Sequence, residues 1–144
     1  MSLNSSVMFY DQALPTIMIA DRDDEERCLL RAVFELKGFT VLEAMDGQQA
    51  FDLASQERPD LILIDLKLPF ADAFTFIRRI RKLTGLQRTP IVAVSERKES
   101  HQRLAIAAGC AAHLNKPVHV DELARLVERL LPNSHVEIAA NFVN

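Results

Sequence analysis

The 144-residue chain has only two cysteines, Cys28 and Cys110, far apart in sequence. That excludes a disulfide framework and a thiolate metal site, and it suits a reducing, cytoplasmic compartment. Both are expected to be small core residues. Glycine is scarce too, with four residues and no glycine-rich loop after the first apolar run. P-loop and dinucleotide-binding readings are therefore poor. No apolar stretch approaches bilayer length, so no membrane association is expected. The first residues lack the basic-then-apolar order of a secretory signal, and Met1 to Leu3 have the look of an expression scar. Net charge is only −3, so the whole-chain field does not favour nucleic acid. The basic run Arg78 to Lys82 reads as a solvated helix face. His101, His113, His119 and His135 lack metal-ligand spacing and are expected at the surface or partly packed. What is present is a globular composition, 49% hydrophobic and 26% charged, sized for one domain.

The pattern along the chain alternates. Thr16 to Ala20 is a short apolar run, followed by Asp24 to Lys37 with Leu29, Ala32, Val33 and Leu36 at helical spacing and Gly38 as a stop. Phe39 to Ala44 is rich in β formers. A helix capped by Asp46 follows, with Ala50, Leu53 and Ala54 on one face and Pro59 at its end. Asp60 to Asp65, "DLILID", is the third strand. Asp72 to Gly85 is the third helix, with Phe76, Ile77, Ile80 and Leu83 inward. "PIVAVS" and "AAHLNKP" are the fourth and fifth strands, each followed by a helical stretch. The strands are continuous apolar runs, so helices should cover both faces of a parallel sheet. Regular β-then-α order predicts a doubly wound α/β fold with right-handed crossovers. The domain is expected over 15–131, with an extension over 1–14 and a tail or linker over 132–144.

Ligands of such sheets sit at the carboxyl ends of the strands. Asp21, Arg22, Asp23 and Asp24 leave the first strand there, Asp65 and Lys67 the third, Ser95 and Glu96 the fourth, Asn115 and Lys116 the fifth. Carboxylates, a hydroxyl and an ammonium at one edge suit chemistry on a charged oxygen species. A hard oxygen-liganded cation such as Mg2+ would suit the carboxylates.

These pieces, in this order, resemble the receiver domain of two-component response regulators. The match consists of Asp21 after the first strand, "DLILIDLKLP" around Asp65, Ser95 after "IVAV", and "NKP" with Lys116. The resemblance implies a flavodoxin-like five-stranded sheet ordered 2-1-3-4-5. It implies that Asp65 accepts a phosphoryl group from a histidine kinase or histidine phosphotransfer protein as an acyl phosphate. The domain would catalyse only its own phosphorylation and dephosphorylation. Lys116 would favour the ionised carboxylate and then meet a phosphoryl oxygen. Ser95 would bind another phosphoryl oxygen, and His113, at a position often aromatic in the family, would move with it. Mg2+ would be held by Asp21, Asp65 and the main-chain carbonyl of Lys67. A cis bond would precede Pro117. The switched surface would be helix 4, strand 5 and helix 5, facing a downstream protein or a second copy.

The chain departs from the family at Arg22, where a second metal-binding acid belongs. An inward Arg22 would oppose a cation and pair with Asp65, since unit charges at about 4 Å interact by about 4 kcal/mol at an effective dielectric of 20. An outward Arg22 would leave Asp23 or Asp24 to replace the ligand. Glu96 follows Ser95 where a small residue is common, and would repel a phosphodonor or bind Arg22. The alternative function is thus a phosphorylation-independent interaction module with Arg22 in place of the cation. A small-molecule enzyme on the same fold lacks any additional catalytic His or Cys at the strand ends.

Overall fold

In a computed structural model, residues 14–68, 73–96 and 98–131 are described. Apart from Leu14, the expected extension and tail lie outside them. Five strands alternate with five helices: β1 Thr16–Ala20, α1 Asp24–Leu36, β2 Thr40–Ala44, α2 Gly47–Glu57, β3 Leu61–Asp65, α3 Ala73–Arg81, β4 Ile91–Ser95, α4 Glu99–Ala107, β5 Ala112–Asn115 and α5 Val120–Leu130. The strands form one sheet in the order β2-β1-β3-β4-β5, and every pairing is parallel. This is the doubly wound, flavodoxin-like α/β fold that the alternating pattern and the resemblance imply.

Strand alternation divides the core into two layers. Met18, Ala20, Ile62, Ile64, Ile91 and Ala93 face α2, α3 and α4, which contribute Ala50, Ala54, Ile77, Ile80 and Ala105. Ile17, Ile19, Leu61, Leu63, Val92 and Val94 face α1 and α5, which contribute Leu30, Phe34, Leu123, Leu126 and Val127. Both faces are covered, which is why Leu61 to Ile64, "LILI", is apolar without a break.

Helix α1 corrects one expectation. Leu29 and Leu36 are exposed, and the buried stripe is Arg27, Leu30 and Phe34. The helix carries two overlapping apolar stripes, and its ends select between them. Asp23 caps the first turn through the Glu25 and Glu26 N–H groups. At the other end Gly38, at φ 96°, closes a Schellman motif in which Gly38 N–H donates to Glu35 O and Phe39 N–H to Phe34 O. That motif stacks Phe34 edge-on against Phe39, with centroids 5.8 Å apart, and commits Phe34 to the core. Cys28 is exposed, contrary to its expected core role, while Cys110 is buried. Burial pushes the Cys110 thiol up to about 11, only partly offset by nearby Arg81, so it is inert.

Helix α3 is shorter than its pattern. It ends at Arg81, and the bonds from Lys82 N–H to Arg79 O and from Leu83 N–H to Ile80 O tighten the chain into turns. The basic run is not simply a solvated face. The Arg79 guanidinium lies 4.0 Å from the Phe51 ring centroid. Arg81 donates to the carbonyls of Leu86, Thr89 and Gly109, tying the end of α3 to the loop before β5.

Gly47, the first residue of α2, lies under the buried Phe76 ring. A Cβ there would come 2.2 Å from Phe76 Cε2. Gly47→Ala is expected to destabilise the fold by about 1–3 kcal/mol through overpacking, despite alanine's better helix propensity. A chemical denaturation midpoint at or above wild type would refute that account.

Candidate functional site

The sheet brings the carboxyl ends of β1, β3, β4 and β5 together. Asp21 and Asp65 are each one residue past an apolar pair and are 3% and 4% exposed, at the α1/α5 side of the sheet. Asp21 Oδ1 accepts the Asp23 N–H at 2.8 Å, and Asp65 Oδ1 accepts the Lys67 N–H at 2.9 Å. The latter bond places the Lys67 backbone beside the Asp65 carboxylate. The Lys116 ammonium lies 2.7 Å from Asp65 Oδ2 and 3.2 Å from Glu26 Oε2. The Lys116–Pro117 peptide is cis. Desolvation alone would lower the Lys116 pKa, but the bonds to Asp65 and then to Glu26 outweigh it and raise it.

Carboxylate oxygens of Asp21, Glu26 and Asp65 all lie within 4.8 Å of one another. Glu26 has no place among the sequence-derived candidates. Its signal was available, because Asp23 and Glu26 stand at capping-box spacing, which fixes Glu26 in the first turn of α1. In that motif the glutamate would bind the Asp23 N–H. Here Asp21 takes that N–H, and Glu26 is left to Lys116 and the acidic cluster. Asp23 and Asp24 are not in the cluster: Asp23 caps the helix and Asp24 pairs with Arg27.

Burial, followed by repulsion from Glu26 and Asp65, pushes the Asp21 carboxyl up to about 7, against the lowering effect of its bond from Asp23 N–H and of Lys116. A folded-state pKa above the unfolded one means that the native state binds the extra proton. Its stabilising effect is present at low pH and is lost as pH rises through about 7. Wild type should therefore lose stability relative to Asp21→Asn between pH 5 and pH 8, by at least about 1.4 kcal/mol, the worth of one pKa unit. Urea melts of both proteins at the two pH values check this, and a constant difference would contradict it.

The receiver-domain expectation can now be compared with known proteins. The response regulator receiver domain matches residues 17–128. The chain belongs to this family. It is 32% identical over 116 residues to sporulation initiation phosphotransferase F of Bacillus subtilis, covering 81% of this chain and 93% of that one. It is 28% identical to the polar-differentiation response regulator DivK of Brucella anthropi, covering 81% and 95%. Among solved structures, the receiver domain of the Pseudomonas aeruginosa sensor histidine kinase PA1611 superposes with a TM-score of 0.76 at 29% identity, covering 82% and 98%. That structure is described with a magnesium ion coordinated in its active site cleft. The Vibrio cholerae chemotaxis protein CheY4 superposes with a TM-score of 0.78 at 25% identity, covering 83% and 100%.

A receiver domain is a signalling domain of two-component systems, and such domains interact with histidine kinases or phosphotransfer proteins. This receiver's departures have definite positions. Arg22 is exposed, and no ion pair among the described residues joins it to Asp65 or Glu96. Glu96 pairs with Lys67 instead, and that hydrogen bond, followed by the Lys67 charge, lowers its pKa. Ser95 is fully buried, and its Oγ lies 2.7 Å from His113 Nε2 and 3.1 Å from His101 Nδ1. His101, expected at the surface or partly packed, is half-buried against Ser95. Burial first, and His101 second, lower the His113 pKa. Among the described residues no helix is long and apolar enough to cross a membrane.

Proposed function

We propose that this receiver domain accepts a phosphoryl group on Asp65 from a histidine kinase or histidine phosphotransfer protein. The observation that carries the reading is the Lys116 ammonium, 2.7 Å from the Asp65 carboxylate and anchored on its other side by Glu26. An Asp65 oxygen attacks phosphorus, the bond from phosphorus to the donor nitrogen breaks, and its electron pair leaves with the donor imidazole. Charge on the phosphoryl oxygens grows beside an ammonium that needs no reorganisation to meet it.

The donor set also fits a hard cation. Three carboxylates with mutual oxygen distances under 4.8 Å match the oxygen preference of Mg2+. Asp21, Asp65 and Glu26 would hold it together with the main-chain carbonyl of Lys67. Once bound, Mg2+ would neutralise charge on the phosphoryl oxygens. Glu26 supplies the third carboxylate that Arg22 does not. With Arg22 exposed and Lys116 on Asp65, nothing in the site favours the phosphorylation-independent module.

Phosphorylation would draw in Ser95 and change the face made by α4, β5 and α5, which would then bind a downstream protein or a second copy. The test is incubation with acetyl phosphate, with Mg2+ or with a chelator, read by intact mass. A phosphate that appears only with Mg2+ and is released by hydroxylamine, as an acyl phosphate is, supports the reading. A hydroxylamine-stable adduct, or none, rejects it.

A further inference from the structure

Ser95 has one hydroxyl proton and two oxygen lone pairs, and all three are engaged. Its Oγ lies 3.0 Å from the Glu96 carbonyl oxygen, as well as 2.7 Å from His113 and 3.1 Å from His101. A carbonyl only accepts, so the Ser95–Glu96 hydrogen bond uses the single Ser95 proton. With the proton in that bond, the two imidazole contacts require His101 Nδ1–H and His113 Nε2–H as donors to Oγ, the tautomers that a clamped Ser95 predicts. A hydroxyl so saturated has no donor left for a phosphoryl oxygen.

The partners belong to different elements. His101 is in the first turn of α4, His113 is in β5, and Glu96 follows β4. Alternation points Ser95 and His113 to the side of the sheet that α4 covers, opposite the side where Asp65 meets Glu26 and Lys116. Lys98, at the N-cap of α4, makes no side-chain cap bond. His101 is a tie from the first turn of that helix to the sheet.

We propose that His101 is a positioning residue of the switch: with His113 it clamps the Ser95 hydroxyl on the α4 side of the sheet, and recruitment of Ser95 by a phosphoryl group on Asp65 releases the first turn of α4. This rests on the reading of Asp65 as phosphoacceptor. For Ser95 to donate to a phosphoryl oxygen, its proton must leave the Glu96 carbonyl and Oγ must turn away from His101. The clamp opposes that turn, so it sets the threshold for switching. His113 couples the hydroxyl to β5; His101 extends the coupling to a helix, so that β4, β5 and α4 respond together.

The test uses beryllium fluoride with Mg2+, a stable tetrahedral mimic of a phosphoryl group on a carboxylate. Long-range 1H–15N spectra of the histidine rings are recorded before and after addition. The free protein should show His101 in the Nδ1–H form, and addition should return it to the Nε2–H form favoured in water. Ser95→Ala should produce the same change with no beryllium fluoride present, which tests the clamp independently of Asp65. His101→Ala should tighten beryllium fluoride binding roughly twofold to tenfold, the ratio that one net hydrogen bond carries. His101→Asn, which keeps a donor near the Nδ1 position, should restore wild-type affinity, and His119→Ala should leave it unchanged. An Nε2–H His101 in the free protein, or no change in it with Ser95→Ala, overturns the clamp. Equal affinities of wild type and His101→Ala overturn its role in switching. Absence of beryllium fluoride binding by wild type with the Ser95→Ala change intact overturns the phosphoacceptor reading and, with it, the coupling to phosphate.

Discussion

Asp65→Asn protein should take up no phosphate from acetyl phosphate under conditions in which wild type does. The amide is neutral and a poor nucleophile, and no other oxygen in the cluster has the same support. Asp21 is buried without a lysine contact, and Glu26 holds Lys116 through a longer bond, 3.2 Å against 2.7 Å for Asp65. The fold should survive, because Glu26 still pairs with the Lys116 ammonium and no buried charge is left alone. Lys116→Ala is a graded counterpart. It keeps the nucleophile but removes the cation that meets developing charge, a loss that typically costs roughly a hundredfold to a thousandfold in rate. It also leaves Asp21, Glu26 and Asp65 without their shared counter-charge. Rates are read by intact mass over time, with circular dichroism confirming that both variants fold. Phosphate on Asp65→Asn at the wild-type rate would move the acceptor elsewhere, and a Lys116→Ala rate equal to wild type would remove the lysine from the chemistry.

Much of this was legible in the sequence because periodicity and punctuation agree. Continuous apolar runs at the strands, each followed by helical spacing, fix a sheet covered on both faces. The strand ends then place Asp21, Asp65, Ser95 and Lys116 at one edge. What the pattern hid has physical causes. In α1 two apolar stripes overlap, and Leu29 and Leu36 look as inward as Leu30 and Phe34 until the Schellman closure at Gly38 and the Phe34–Phe39 contact decide. Leu29 instead lines an open groove with Pro117 and Val120, beside Lys116. In α3 the apolar spacing runs past the helix end, because Leu83 packs on the core from a turn. For Glu26 the capping-box spacing gave its place in the first turn of α1 but not its role, because only the competing Asp21 carboxylate on the Asp23 N–H frees it for Lys116. His101 was hidden because contact between a helix residue and Ser95 depends on how α4 sits on the sheet, which no local spacing encodes.

Arg22→Asp is expected to tighten Mg2+ binding at least tenfold. Arg22 is exposed and directly follows Asp21, a buried member of the cluster of three carboxylates and one ammonium. Above about pH 7, where Asp21 is ionised, Asp21, Glu26, Asp65 and Lys116 together carry −2. That sum attracts a divalent cation, and the positive charge of neighbouring Arg22 opposes it. Replacing arginine by aspartate changes the local charge by two units towards a doubly charged ion. The unit-charge energy in water is about 1 kcal/mol at about 4 Å and falls in proportion to distance; multiplied fourfold in this way, it still exceeds the about 1.4 kcal/mol of a tenfold change out to roughly 10 Å. Salt screening reduces it, so the gain should shrink as ionic strength rises. Glu26→Gln should act in the opposite sense, weakening Mg2+ by removing a ligand and not merely a field. The two variants separate field from ligation: the Arg22→Asp effect should depend on salt, and the Glu26→Gln effect should largely persist at high salt. Isothermal titration with Mg2+ at two salt concentrations provides the measurement. An Arg22→Asp affinity within twofold of wild type at low salt would mean that Arg22 lies electrically outside the site, and a wild-type affinity indifferent to Glu26 would mean that the third carboxylate is a partner of Lys116 alone.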